Sequence, residues 1–416
     1  MDQARTRGHA AALAAVGAMV RGPAPHAVLL SGPGGIGKTT LALDLAAGLL
    51  CTATDPAVRP CRTCRGCRMV TGGGHPDLHR LAPDGPGAQI VIGGRDAKAR
   101  GVRDLTEDLS LMPMEGGARV AIVGAAHRMN DDAQGALLKT LEEPPAGVTI
   151  ILCADDEDRL LPTVRSRCAR LRMGRVGARD VETILAEHGV TDLPLAGRLA
   201  RISAGRPGVA LAYARSPEAV RARGELVRRF LDLLDASPAA RLAAVRAAMP
   251  TALELMDALE AASADGVEPP DEAAAVRRTA GASRGPARKA GSAAAGRPPN
   301  DGSAEADEAG ADDESATDAP TRAIPAARRR RAAEALIAVW LDVTRDLALV
   351  AVDGARSVRD PALLDELEAA ASRLPPGAAG AFLERLSRGA ELVAGNVSPE
   401  LVLDSLILSW PDRRAA

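Results

Sequence analysis

Ser31-Gly32-Pro33-Gly34-Gly35-Ile36-Gly37-Lys38-Thr39-Thr40 constrains this chain more than any other stretch. It fits the pattern G-x-x-x-x-G-K-[ST] at Gly32, Gly37, Lys38 and Thr39. Ahead of it runs Ala27-Val28-Leu29-Leu30, a short apolar run that reads as a buried parallel strand; behind it Leu41–Leu50 is apolar at helical spacing. Strand, glycine loop and helix form the context a phosphate-binding loop requires. Glycines let backbone N–H groups curl around phosphate oxygens, and the helix N-terminus adds favourable dipole charge. Lys38 would reach the β- and γ-phosphates, and the Thr39 hydroxyl would sit on Mg²⁺. Gly32, Pro33, Gly34, Gly35, Ile36, Gly37, Lys38, Thr39 and Thr40 are therefore the candidate site for ATP or ADP with Mg²⁺.

A loop that hydrolyses nucleotide needs partners on neighbouring strands. Val120-Ala121-Ile122-Val123 reads as the second buried strand. In a phosphate-loop ATPase that strand ends in an Asp for Mg²⁺ and an acid that activates water. Here it ends in Gly124-Ala125, which can neither hold a cation nor accept a proton. Val148–Cys153 is a third apolar strand, followed by Ala154-Asp155; between the two, Asp131–Glu143 is a helix stopped by Pro144-Pro145. A carboxylate from Asp131, Asp132 or Asp155 would have to stand in for the missing acid if the chain hydrolyses ATP by itself.

Directly after the loop helix comes Cys51-x9-Cys61-x2-Cys64-x2-Cys67. Four thiolates at this spacing can close a tetrahedral Zn²⁺ site with no open position, so a structural zinc is expected at Cys51, Cys61, Cys64 and Cys67. Arg59, Arg62, Arg65 and Arg68 surround them and are expected to stabilise the thiolates. His75 and His79 read as ordinary structural histidines, and Cys153 and Cys168 as core thiols. Gln89–Ile92 is a short apolar segment, and residues 93–112 read as a helix with Arg95, Lys98, Arg100 and Arg103 on or near a solvated face; a DNA-contacting stripe is the sharper alternative.

The formal net charge of −2 gives no global basic field. No run of 18 apolar residues is present and the N-terminus lacks the order of a signal peptide, so a cytosolic protein without a membrane partner is expected. Only five of the 416 residues are aromatic, none before Tyr213. The first half must pack on aliphatic side chains and cannot stack bases on aromatic platforms.

Residues 1–22 read as one Ala-rich helix and 177–214 as a small helical domain, with Ser203-Ala204-Gly205-Arg206-Pro207-Gly208 between two helices; 216–262 continue as helix. From about 263 to 328 large apolar residues almost vanish: 271–297 are basic, 301–318 acidic, and the stretch is expected to be disordered. Arg328–Arg331 ends it, either as the basic start of the next helix or as a DNA contact. Order returns at Ala332–Val352, with further helices over 361–373, 377–394 and 398–410.

Gly135-Ala136-Leu137-Leu138-Lys139-Thr140-Leu141-Glu142-Glu143-Pro144-Pro145 closely resembles the N-A-L-L-K-T-L-E-E-P-P signature of bacterial DNA polymerase III clamp-loader AAA+ subunits, with Gly135 in place of Asn. Ser166-Arg167-Cys168 resembles their S-R-C motif. The cysteine quartet is similar to their zinc module, His75-Pro76-Asp77-Leu78-His79 fits, and Asn396–Leu401 resembles their last collar helix. The resemblance covers about 1–215 and, more loosely, the C-terminal helices. It implies an α/β P-loop (AAA+, RecA-like) domain with zinc insert at 1–175, a helical lid at 176–215, an all-α collar at 216–262 and 329–413, and a disordered insert at 263–328. Family members usually carry further residues before the first helix, where adenine is recognised. Two branches are possible. The gamma/tau ATPases keep the acid pair, a sensor Thr and a sensor-2 Arg; this chain has Gly124-Ala125, Ala154-Asp155 and Gly208 there. The resemblance therefore implies the stator branch: a subunit that hydrolyses almost nothing and joins gamma/tau and delta in a hetero-pentamer that loads the sliding clamp on primed DNA. Arg167 would then be an arginine finger given to a neighbour's ATP. A self-sufficient gamma/tau-type motor and a zinc-dependent nucleic-acid binder remain the rival readings.

Overall fold

The computed structural model describes residues 1, 3–83, 89–94, 99–115, 117–264, 325–395 and 397–411. The expectation of disorder over 263–328 falls almost wholly outside them.

The N-terminal half is one parallel sheet. Its strands are β1 (Ala27–Ser31), β2 (Leu78–Leu81), β3 (Arg119–Val123), β4 (Val148–Ala154) and β5 (Ala169–Arg172), in the order β2-β3-β4-β1-β5. The central strands β3, β4 and β1 are buried along their whole length, as continuous apolar runs should be in a sheet covered on both faces. The helices of this half are α1 (Ala10–Arg21), α2 (Lys38–Leu49), α3 (Arg65–Thr71), α4 (Val102–Ser110), α5 (Asp131–Glu142) and α6 (Pro162–Arg165). Alternate strand residues face opposite ways. Val28, Leu30, Val120, Ile122 and Ile151 pack with Val16 of α1 and Leu41 and Leu45 of α2. Leu29, Ala121, Val123, Ile150 and Leu152 pack with Leu105 of α4 and Leu137 of α5. Edge strands β2 (Leu-His-Arg-Leu) and β5 (Ala-Arg-Leu-Arg) have no apolar run, and the sequence pattern does not announce them.

Two helices are shorter than expected. The one expected over 93–112 is only α4: Gly93 has φ +71°, and Val102 and Arg103 N–H groups donate to Val91 and Ile92 carbonyls, so 89–94 fold back beside the helix. Ile90 makes a parallel bridge to Met129. Arg95 and Lys98 lie outside the described residues, and Arg100 pairs with Asp108. The helix expected over 1–22 starts only at Ala10, because the preceding segment is tied to α2. Asp44 is fully buried there and accepts from Arg5 N (3.1 Å), Thr6 N (2.9 Å) and Thr6 Oγ1 (2.7 Å), and pairs with Arg62. Asp44→Ala leaves the Arg62 cation and three donors without their acceptor. We expect a loss of about 3–5 kcal/mol, read as a lower urea midpoint.

The C-terminal half is helical: α7 (Ala178–Glu187), α8 (Leu193–Ile202), α9 (Pro207–Arg215), α10 (Pro217–Asp232), α11 (Pro238–Ala264), α12 (Ala326–Val350), α13 (Leu364–Ala371), α14 (Ala378–Ala394) and α15 (Pro399–Leu408). The expected continuous helix over 216–262 is broken at 233–237, where a 3-10 turn precedes Pro238. One apolar core runs through all these helices, from Val176 to Trp410. Phe230 lies at its centre, 5.1 Å from Trp340, 4.1 Å from Trp410 and 6.2 Å from Phe382 between ring centroids. The basic run at the start of α12 is engaged within the chain: Arg328 with Asp257, Arg329 with Glu400, Arg331 with Glu260.

Candidate functional site

β1 delivers Ser31 to the C-terminal edge of the sheet, and the glycine loop turns from there into α2. Gly32 has φ +144°, and a Cβ on it would stand 2.1 Å from the Met173 carbonyl oxygen, so only glycine fits. Gly37, in the left-handed region at φ +102°, starts α2. Lys38 follows, 7% exposed in its side chain. Its ammonium donates to the Gly32 carbonyl at 2.6 Å and the Pro33 carbonyl at 2.7 Å, and pairs with Asp155 Oδ1 at 2.8 Å. Asp155 arrives by topology: β4 lies beside β1, and Gly32 N donates to Ala154 O. The Asp155 N–H donates to His127 Nδ1 at 3.0 Å, and burial holds that histidine below its ordinary pKa, which keeps the ring nitrogen free to accept.

The missing partners are missing in space as well. β3 ends beside β4, and Gly124 offers no side chain there; Ala125 sits at φ +51°. Asp131 and Asp132 are exposed in the first turn of α5, and Asp155 is committed to Lys38. The other lost partner, at Gly208, lies against the loop itself: Gly208 N donates to Gly35 O at 2.8 Å, and a Cβ on Gly208 would stand 3.1 Å from that oxygen. A larger residue at 208 needs the loop or α9 to give by a few tenths of an ångström. These residues do not fit a hydrolysable Mg–ATP.

The cysteine quartet assembles. The Sγ atoms of Cys51, Cys61, Cys64 and Cys67 all lie within 4.8 Å of one another. A tetrahedron with Zn–S bonds of 2.3 Å needs S···S separations of about 3.8 Å, so the donor set fits zinc. Cys64 caps α3, its sulfur accepting from Cys67 N. The Thr63 hydroxyl, with Cys64 N, lowers the Cys61 thiol to about 6, whereas burial raises Cys67 and Cys51. The nearby arginines do something other than expected: Arg59 binds the Ala53 carbonyl, Arg62 holds Asp44, and Arg65 pairs with Glu115. Zinc here would fasten the 51–71 segment to α2, where Cys67 Sγ already meets Ala47 O. A Cys61→Ser/Cys64→Ser variant should lose its bound zinc by elemental analysis and melt several degrees lower; full zinc retention would count against the site.

His75 and His79 are structural. His75 Nδ1 accepts from Asp77 N, and His79 lies 3.5 Å from Asp108. Burial raises Cys153 to about 12 and Cys168 to about 11, in keeping with unreactive core thiols.

Arg167 follows α6. Its Nη1 donates to Thr163 O at 2.9 Å and its Nη2 lies 2.5 Å from Glu142 Oε1. β5 runs parallel to β1 with Val28 opposite Ala169 and Ser31 opposite Arg172. Arg167 therefore lies at the N-terminal edge of the sheet and the loop at the other, roughly 15 Å apart along the strands at about 3.3 Å per residue. An arginine side chain does not reach that far, so Arg167 cannot serve its own loop. Asp155, Glu142 and Asp44 escaped the sequence reading as partners, because each acts across a long chain separation.

This is a P-loop α/β protein with a cluster of four cysteines, fit to hold a metal ion, behind its loop helix. Residues 14–176 match the family model described as DNA polymerase III, delta subunit. The chain is 37% identical over 187 residues to DNA polymerase III subunit delta' of Escherichia coli K12, covering 45% of this chain and 54% of that protein. It is 30% identical over 205 residues to subunit delta' of Bacillus subtilis 168, covering 49% and 58%. Subunit tau of Salmonella typhimurium LT2 is 34% identical over 178 residues, 42% of this chain and 26% of that protein. Over the matched residues the chain is similar to the delta' subunits of DNA polymerase III. The match spans little more than half the length of these delta' relatives. No helix among the described residues is long and apolar enough to cross a membrane.

Proposed function

We propose that this chain is the stator of a DNA polymerase III clamp loader, of the delta' type. It would assemble with gamma/tau and delta subunits in a hetero-pentamer through the helical collar at 216–262 and 329–413, with 176–215 as lid, and help place the sliding clamp on primed DNA in the cytoplasm. The observation that carries this is the placement of Arg167. It is about one-third exposed at the edge of the sheet away from its own loop, so any phosphate it serves belongs to another subunit. The absent acid at Gly124 and the Gly208–Gly35 contact support a subunit without its own ATPase. Zinc at the four cysteines is structural in this reading.

Reconstitution tests it. The chain is mixed with gamma/tau and delta subunits, clamp and primed DNA, and ATPase and clamp loading are followed with and without it. Loading that needs this chain, with no ATPase from the chain alone, is the expected result. Robust hydrolysis by the pure chain would instead favour the gamma/tau-type reading.

A further inference from the structure

The phosphate loop is intact, yet no phosphate chemistry explains it, and its lysine is occupied. We propose that Asp155 is a built-in ligand of the loop: its carboxylate takes the place at Lys38 that a nucleotide phosphate would take, so that the loop is a closed structural joint and nucleotide is kept out.

An ammonium group has three N–H donors and no acceptor. Lys38 has three oxygen partners at 2.6, 2.7 and 2.8 Å, and two of them belong to the loop itself. No donor is left over for an incoming phosphate. The third oxygen is the anionic one, and it is placed as a ligand would be: Asp155 Oδ2 is 3.0 Å from where a Cβ on Gly34 would stand, so the carboxylate lies over the loop. The His127 ring, accepting from Asp155 N, holds the backbone that carries it. From the other side the chain closes on the loop: Gly208 N bonds Gly35 O, the Val209 side chain lies 3.0 Å from the Cβ position of Gly35, and His9 Nε2 is 2.9 Å from Ile36 O. A nucleotide would have to expel Asp155 from Lys38 and then sit beside a carboxylate of its own sign, a repulsion that grows as water is excluded. This account explains why the glycine loop and its lysine persist without the acid pair: Lys38 with Asp155 joins the loop to the end of β4, and Gly35 with Gly208 joins it to α9. It rests on the contacts of the loop alone, and its test uses no other subunit, so it stands or falls separately from the clamp-loader reading.

The test uses the full-length zinc-loaded chain and fluorescent mant-ADP and mant-ATP with Mg²⁺, read by anisotropy, with unlabelled pyrophosphate as competitor. Asp155→Asn keeps shape and removes charge. We expect no saturable binding to the wild type into the millimolar range, binding at least about ten-fold tighter to Asp155→Asn, and its loss in Asp155→Asn/Lys38→Met. Thermal melting without nucleotide supplies an independent reading. Lys38→Met should lower the midpoint of the wild type and have a smaller effect in the Asp155→Ala background, because the two side chains are coupled. Equal affinity of wild type and Asp155→Asn for the probes, whether tight or undetectable, overturns the proposal. So does a Lys38→Met effect that is the same with and without Asp155.

Discussion

Arg167→Ala is expected to leave the isolated chain folded and to slow ATP hydrolysis at the neighbouring site of an assembled loader by roughly 10³-fold, the lower end of what arginine fingers contribute. A planar guanidinium spreads two donors across a phosphate and remains charged at any accessible pH. In the free chain that guanidinium is parked. Its partner Glu142 is about half-exposed and Arg167 itself about one-third exposed. A pair so open to solvent is worth at most about 1 kcal/mol, so leaving it for a γ-phosphate costs little. Single-turnover hydrolysis in the reconstituted assembly measures the effect, and Glu142→Gln serves as the comparison, with a loss of a few-fold or none. Hydrolysis that proceeds at the same rate with alanine at 167 removes the finger role, even if the subunit still assembles.

Phe230→Ala carries a large expected cost to the stability of the helical half. Phe230 is 1% exposed and touches three of the other four aromatic residues, stacking on Trp340 at 18° between ring planes and lying 4.1 Å from Trp410. Phe382 meets Trp410 edge-on at 4.7 Å. Truncation opens a cavity lined by rings that cannot collapse into it, and buried Phe→Ala changes cost about 3–5 kcal/mol. Both tryptophans lie in this cluster and the first half of the chain has none, so tryptophan fluorescence during urea unfolding reports on the helical half alone. A shift worth less than about 1 kcal/mol would mean that the rings do not hold that core together.

What could be read along the chain was whatever chemistry is contiguous. The glycine loop, the cysteine spacing, the helix ending in Glu142-Glu143-Pro144-Pro145 and the absence of an acid at Gly124-Ala125 are each confined to a few neighbouring residues. The central strands were legible for a related reason: a strand buried on both faces must be apolar throughout, so β1, β3 and β4 announce themselves. Edge strand β5 alternates apolar residues with arginines and β2 sets His79 and Arg80 between its leucines, so their four residues resemble loop until a neighbour's hydrogen bonds make them strands. Helix ends were misplaced where a distant side chain decided them. Asp44 holds residues 5 and 6 against α2, and nothing near Met1 foretells it.

The sequence alone therefore determined that the chain carries a parallel α/β sheet with a phosphate loop, that four thiols are spaced for one tetrahedral metal, and that an acid pair is missing. Each of these follows from residue types at fixed short spacing. Only the tertiary structure decided what those parts face. Strand order brought Asp155 onto Lys38, the packing of α9 brought Gly208 onto Gly35, and strand direction put Arg167 at the opposite edge of the sheet from the loop. The physical reason is that a parallel sheet aligns residues by register between strands far apart in the chain. Whether a lysine is free or filled, and whether an arginine faces inward or outward, is set by that alignment.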